Sequence, residues 1–247
     1  SFDSEGKRVI YVTDAPHELE MRMTDAWGRG EPKVVKPAVE RGWYFPPRLS
    51  PDGKWVAYAD ETQTLYVMPA EGGSPKKVDR SSQAEIRDYM WSPDGRWLAY
   101  SKVLPTDYAS IYIYDAKESS VHEITGPMTD DYSPAWDPDG RYLYFLSHRN
   151  TNPLLGTMDW DNVEAKNTRP YLVTLRKDVK NPFANLEGLP PDEDAEKKDA
   201  KKTDDAKKDD GKKDEEKKAP EPIAIDFDGI AERVLALFDR HQAMADE

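Results

Sequence analysis

Apolar residues along this chain come in short alternating runs broken by Pro, Asp and Gly, and one ten-residue pattern of them returns. Residues 49–58 read LSPDGKWVAY, 91–100 read WSPDGRWLAY, 136–145 read WDPDGRYLYF, and 2–11, FDSEGKRVIY, are a looser copy. The turn tetrapeptides begin at Asp3, Ser50, Ser92 and Asp137, spaced 47, 42 and 45 residues apart. Such a period matches about 40–50 residues for one four-stranded propeller blade. Ser-Pro-Asp-Gly is turn chemistry: Pro pre-sets φ at the second position and Gly takes a left-handed position without steric cost. The aromatic and β-branched residues after each turn read as a strand, and the aromatics before it as that strand's antiparallel partner.

In chain order, blade one covers 2–36, with strands at 7–13, 19–23 and 33–35 and no first strand, so the chain is expected to begin inside a blade. Blade two covers 44–79 and blade three 86–124, and blade four opens at 132 with strands at 142–147 and 169–175. The connection 148–168 is long for a hairpin, and long loops are often functional or flexible. Residues 191–222 read PDEDAEKKDAKKTDDAKKDDGKKDEEKKAPEP, with no aromatic and no large aliphatic side chain. Such a stretch buries too little to offset its ordering entropy, which predicts disorder. A single charged helix is the alternative, with the Asp content and Gly211 against it. Residues 223–227, IAIDF, alternate again at period two. Ile230, Val234, Leu237 and Phe238 have helical spacing with Asp228 as a possible cap, yet 233–237 would equally supply the fourth strand of blade four. The expected organisation is all-β: a partial β-propeller of about four four-stranded antiparallel blades over 1–180, a disordered charged insertion over 181–222, and a return to the propeller over 223–247.

Composition narrows the function. The net charge of −13 argues against a phosphate-binding surface. No cysteine is present, which excludes disulfides and thiolate metal sites. No apolar run is long enough to span a membrane, and 1–9 have no signal-peptide pattern. The chain has no G-x-S-x-G elbow, no H-E-x-x-H and no P-loop. His17, His122, His148 and His241 are scattered and read as surface or strand-edge residues. Asp137–Gly140 and Asp159–Asn162 are oxygen-rich, but neither has a full calcium loop, and hairpin turns explain the first. Trp43, Trp55, Trp91, Trp97 and Trp136 flank the repeated turns and are expected to pack blade on blade, with Trp160 left as a candidate for ligand stacking. No catalytic, cofactor-binding or metal-ligating residue is expected, and substrate-contacting residues cannot be named.

The repeats, with SPDGKWVAY and LYVMPAEGGSPKKV, resemble TolB-like and tricorn propeller blades. The run 168–237 is narrower: a strand like RPYLVTL, a Lys/Asp/Glu-rich insertion, then IDFDGI-x-x-R-V resemble the bacterial tricorn-type serine peptidases. That resemblance implies a first-propeller segment and makes 233–237 a strand. It also implies a role in channelling or gating peptides or unfolded polypeptide towards a peptidase core outside this chain. The implied partners are the remaining blades, that core and further copies in a homo-oligomer, in the cytoplasm, or in the periplasm for a parent with an export signal. Residues 238–247, FDRHQAMADE, depart from the family's continuation. The rival readings are a TolB-like protein-binding module and the propeller cap of a prolyl-oligopeptidase-type hydrolase.

Overall fold

The computed structural model describes residues 1–15, 19–37, 42–150, 167–182 and 221–237, and the backbone alone of 153–155 and 162–164. The charged stretch 183–220 and the terminus 238–247 lie outside the described residues. The described part is all-β apart from one 3-10 turn, Ile230–Arg233.

Four antiparallel sheets follow one another along the chain. The first holds β1 (Arg8–Thr13), β2 (Glu20–Asp25) and β3 (Lys33–Val35) in that order. The second is β4 (Arg48–Leu49), β5 (Trp55–Ala59), β6 (Thr64–Pro69) and β7 (Lys76–Arg80). The third runs β8 (Tyr89–Trp91), β9 (Trp97–Val103), β10 (Ala109–Asp115) and β11 (Ser120–Glu123). The fourth orders β12 (Asp131–Trp136), β13 (Tyr142–Ser147), β16 (Arg169–Thr174) and β17 (Val234–Ala236). Between β13 and β16, β14 (Pro153–Leu155) and β15 (Asn162–Glu164) pair as a separate hairpin. The long connection thus carries secondary structure of its own.

The sheets are the expected blades, with two local departures. Blade one has three named strands, but Phe2 bridges to Val9 as Leu49 pairs with Val56, so Ser1 and Phe2 occupy the first-strand position. In blade two the first strand shrinks to two residues, because Pro46 and Pro47 lack the N–H groups a ladder needs. The ambiguous run 230–237 holds both motifs: the 3-10 turn first, then β17 as the closing strand of blade four.

Packing explains why the strands are apolar on both faces. In β5, Val56 and Tyr58 enter the core shared with blade one, while Ala57 and Ala59 enter the core shared with blade three. Alternate side chains point to opposite faces of a strand, so a blade sandwiched between two others buries both. The last residue of each ten-mer stacks across the sheet on its partner in the next strand: Tyr58 on Tyr66, Tyr100 on Tyr112, Phe145 on Tyr171. In blade one Arg22 stands opposite Tyr11, and the aromatic pair is absent. Between blades, Trp91 Nε1 donates to the Arg48 carbonyl at 3.1 Å and Trp136 Nε1 to the Met90 carbonyl at 3.0 Å. Each tryptophan reaches back to the first strand of the preceding blade. Trp43 does not join this packing among the described residues; it is 67% exposed.

Candidate functional site

The four repeated turns share one geometry. Gly6, Gly53, Gly95 and Gly140 have φ of 67°, 67°, 73° and 68°, the left-handed region that a Cβ disfavours. Within the Ser-Pro-Asp-Gly copies, Ser50 Oγ donates to Asp52 and accepts from the Trp55 N–H, and Ser92 repeats this with Asp94 and Trp97. Where Asp opens the turn, its carboxylate takes the backbone N–H groups itself: Asp3 from Lys7 and Arg8, Asp137 from Arg141. Asp137 is therefore committed to the hairpin. Among the described residues no group of three or more His, Cys, Asp or Glu is placed to hold a metal ion. Asp159, Trp160 and Asp161 lie outside the described residues.

The turns also touch one another, so they form a row along one rim. Ser4 Oγ donates to the Pro51 carbonyl at 2.6 Å, and Arg8 Nη2 to the Gly53 carbonyl at 2.8 Å. The Asp52 carboxylate lies against Gly95, where a Cβ would meet it at 3.0 Å. Beyond the third turn the row is continued by the segment that returns after the charged stretch. The Ile223 N–H donates to Asp94 at 2.8 Å, its carbonyl accepts from Trp97 Nε1 at 3.0 Å, and its side chain rests on Gly140. Residues 223–227 are thus a strap over the junction of blades three and four. Phe227 stacks on His122 at 3.7 Å and meets Trp97 edge-on.

Over the first three turns this rim encloses a cavity of about 960 Å³. Seven carboxylates line it, among them Asp3, Glu31, Asp52 and Asp94, against three cations, Lys7, Arg8 and Lys54. Arg8 organises its centre, paired with Asp3 at 3.4 Å and Glu71 at 3.1 Å. Burial works against charge on Asp3, but the Lys7 and Arg8 N–H groups and the guanidinium outweigh it and hold the carboxyl below its ordinary range. Asp52 is likewise held down against burial, by the Ser50 hydroxyl and Lys54. The recess therefore carries a net negative charge. Among the described residues that line it, none pairs a nucleophile with a base.

At the opposite ends of the strands, away from the turns, blade four carries a second polar cluster of Asp130, Tyr132, His148 and Thr168. His148 stands isolated in the sequence because its partners are 16 to 20 residues away. His122 is the stacking partner of Phe227; His17 and His241 lie outside the described residues.

A row of repeated turns on successive four-stranded sheets, packed face to face, defines a β-propeller segment. Its matches narrow that class. The family model "Tricorn protease second beta propeller domain" matches residues 1–238, and the chain belongs to that family. The resemblance placed the segment in the first propeller; the matching model is the second. Tricorn protease homolog 1 of Streptomyces coelicolor is 29% identical over 177 residues, covering 71% of this chain and 17% of that protein. The tricorn protease of Thermoplasma volcanium is 30% identical over 162 residues, 63% of this chain and 15% of that protein. A crystal structure of the tricorn protease superposes with a TM-score of 0.70 at 19% identity, over 94% of this chain and 20% of that one. The chain therefore spans about a sixth of the length of these curated relatives. No described helix is long and apolar enough to cross a membrane.

Proposed function

We propose that this chain is a propeller segment of a tricorn-like serine endopeptidase, without a peptidase centre of its own, and that it passes peptides or unfolded polypeptide towards a peptidase core elsewhere in the parent. The observation that carries this is the family match across residues 1–238. The anionic recess at the turn rim supports it, because it offers a polypeptide dipoles and carboxylates rather than reactive groups. Its partners on this reading are the remaining blades and the peptidase core, in a homo-oligomeric parent in the cytoplasm.

The test uses a fluorogenic peptide mixture on the purified chain beside the full-length parent. Activity in the parent alone is expected. Peptidase activity in the chain, surviving repurification and lost on a substitution within it, overturns the reading.

A further inference from the structure

The cluster on blade four is ordered like a proton relay. His148 Nδ1 lies 3.1 Å from Asp130 Oδ2, and its Nε2 lies 2.6 Å from Thr168 Oγ1. The carboxylate can only accept, so Nδ1 carries the hydrogen and Nε2 presents its lone pair to the Thr168 hydroxyl. The Tyr132 hydroxyl stands 3.2 Å from Thr168 Oγ1 and 3.1 Å from Nε2, with the two rings edge to face. Asp130 is itself fixed, since its other oxygen accepts the Ala109 N–H at 2.9 Å from blade three.

One observation separates this cluster from ordinary strand-end bonding: the backbone of β12 is bulged between Tyr132 and Ala135, with Ser133 at φ 54°. A bulge re-aims the neighbouring side chain, here Tyr132, and such irregularities gather at functional sites. Thr168 and His148 are both exposed, so a reagent can reach the hydroxyl.

We infer that Thr168 is an acyl-accepting hydroxyl, with His148 as its general base, Asp130 as the positioning carboxylate and Tyr132 as a hydrogen-bond donor to the developing oxyanion. The acyl donor is an activated ester or thioester. Thr168 Oγ1 forms a bond to the carbonyl carbon while the bond to the leaving oxygen or sulfur breaks. The hydroxyl proton passes to His148 Nε2 and from the imidazolium to the leaving group. The product is one O-acyl threonine per chain. This goes beyond the channelling role and stands whether or not peptides pass through the propeller.

The test treats the full chain with p-nitrophenyl acetate and maps the acetyl group by peptide mass spectrometry. Thr168 is expected to label, with His148→Gln slowing that label about 100-fold, the low end for general-base assistance. Asp130→Asn should slow it as well, and lysine labelling should be unchanged in both variants. Thr168→Ser keeps every contact and should label at least as fast, at residue 168. An unlabelled residue 168 in both the parent sequence and Thr168→Ser, or a His148→Gln chain labelled there at the original rate, overturns the inference and leaves a hydrogen-bonded clasp.

Discussion

Replacing Gly140 by Ala tests whether the strap seats on the fourth turn. Gly6 and Gly140 share nearly the same left-handed backbone, at φ 67° and 68°. They differ in what a methyl group would meet: nothing within 4 Å at Gly6, but Ile223 Cγ1 at 2.5 Å and Cδ1 at 2.7 Å at Gly140. Gly6→Ala should therefore cost only the left-handed penalty, about 1–2 kcal/mol. Gly140→Ala adds the overpacking of a buried site, about 1–3 kcal/mol, for a loss of about 2–5 kcal/mol. Ile223 cannot retreat freely, since its N–H and carbonyl are both bonded, to Asp94 and Trp97. Urea unfolding followed by tryptophan fluorescence reads the difference, with Trp97 and Trp136 in the same core as Ile223. In a double-mutant cycle, Ile223→Ala removes the obstruction, so the pair should lose less than the two single losses together by about 0.5–3 kcal/mol. Equal losses for Gly6→Ala and Gly140→Ala, or strict additivity with Ile223→Ala, would refute the seating of the strap.

Other outcomes follow from the same contacts. Trp136→Phe leaves the Met90 carbonyl without its inter-blade donor and should cost about 1–3 kcal/mol in the same urea assay, whereas Trp43→Phe at an exposed site should stay within about 0.5 kcal/mol. Asp115 is buried, which favours its neutral form, but the Arg96 guanidinium and the Lys117 and Glu118 N–H groups outweigh this and hold its carboxyl below the usual range. A depressed folded-state value means the contribution is complete above the unfolded carboxylate range and is lost as pH falls below about 4. Asp115→Asn should therefore flatten the acid limb of stability against pH; an unchanged limb would show that other carboxylates set it.

The blades were legible because their information is local. Pro51-Asp52-Gly53 and its copies specify a turn within four residues, and the cross-strand pair of Tyr58 and Tyr66 lies within one hairpin. What stayed hidden depends on distance. Ile223 meets Trp97 across 126 residues, so nothing in IAIDF announces that it inserts between the third and fourth turns. The two-residue β4 was shortened by Pro46-Pro47, a signal that was present beside the aromatics of 43–45. The 3-10 turn before β17 was half readable: Gly229 at φ 66° opens it and Arg233 ties it through the carbonyls of Thr174, Asp226 and Asp228, contacts that helical spacing cannot reveal. The relay on blade four was unreadable for the same reason, since Asp130, His148 and Thr168 are brought together only when the ends of β12, β13 and β16 align.

The fourth sheet takes its last strand from far along the chain, and this sets a schedule for its completion. Val234 in β17 lies 60 residues after Thr174, the end of β16 against which it pairs. At roughly 5–20 residues per second of synthesis, β16 waits about 3–12 s with its outer edge unpaired. During that interval Leu172 and Val173, fully covered in the finished blade, face an incomplete neighbour. The length of the intervening stretch matters little at equilibrium, because the entropy of closing a loop grows only slowly with its length. It matters in time: each added residue prolongs the nascent chain's exposure, so lengthening 183–220 would tax the yield of folded protein before it touched its stability.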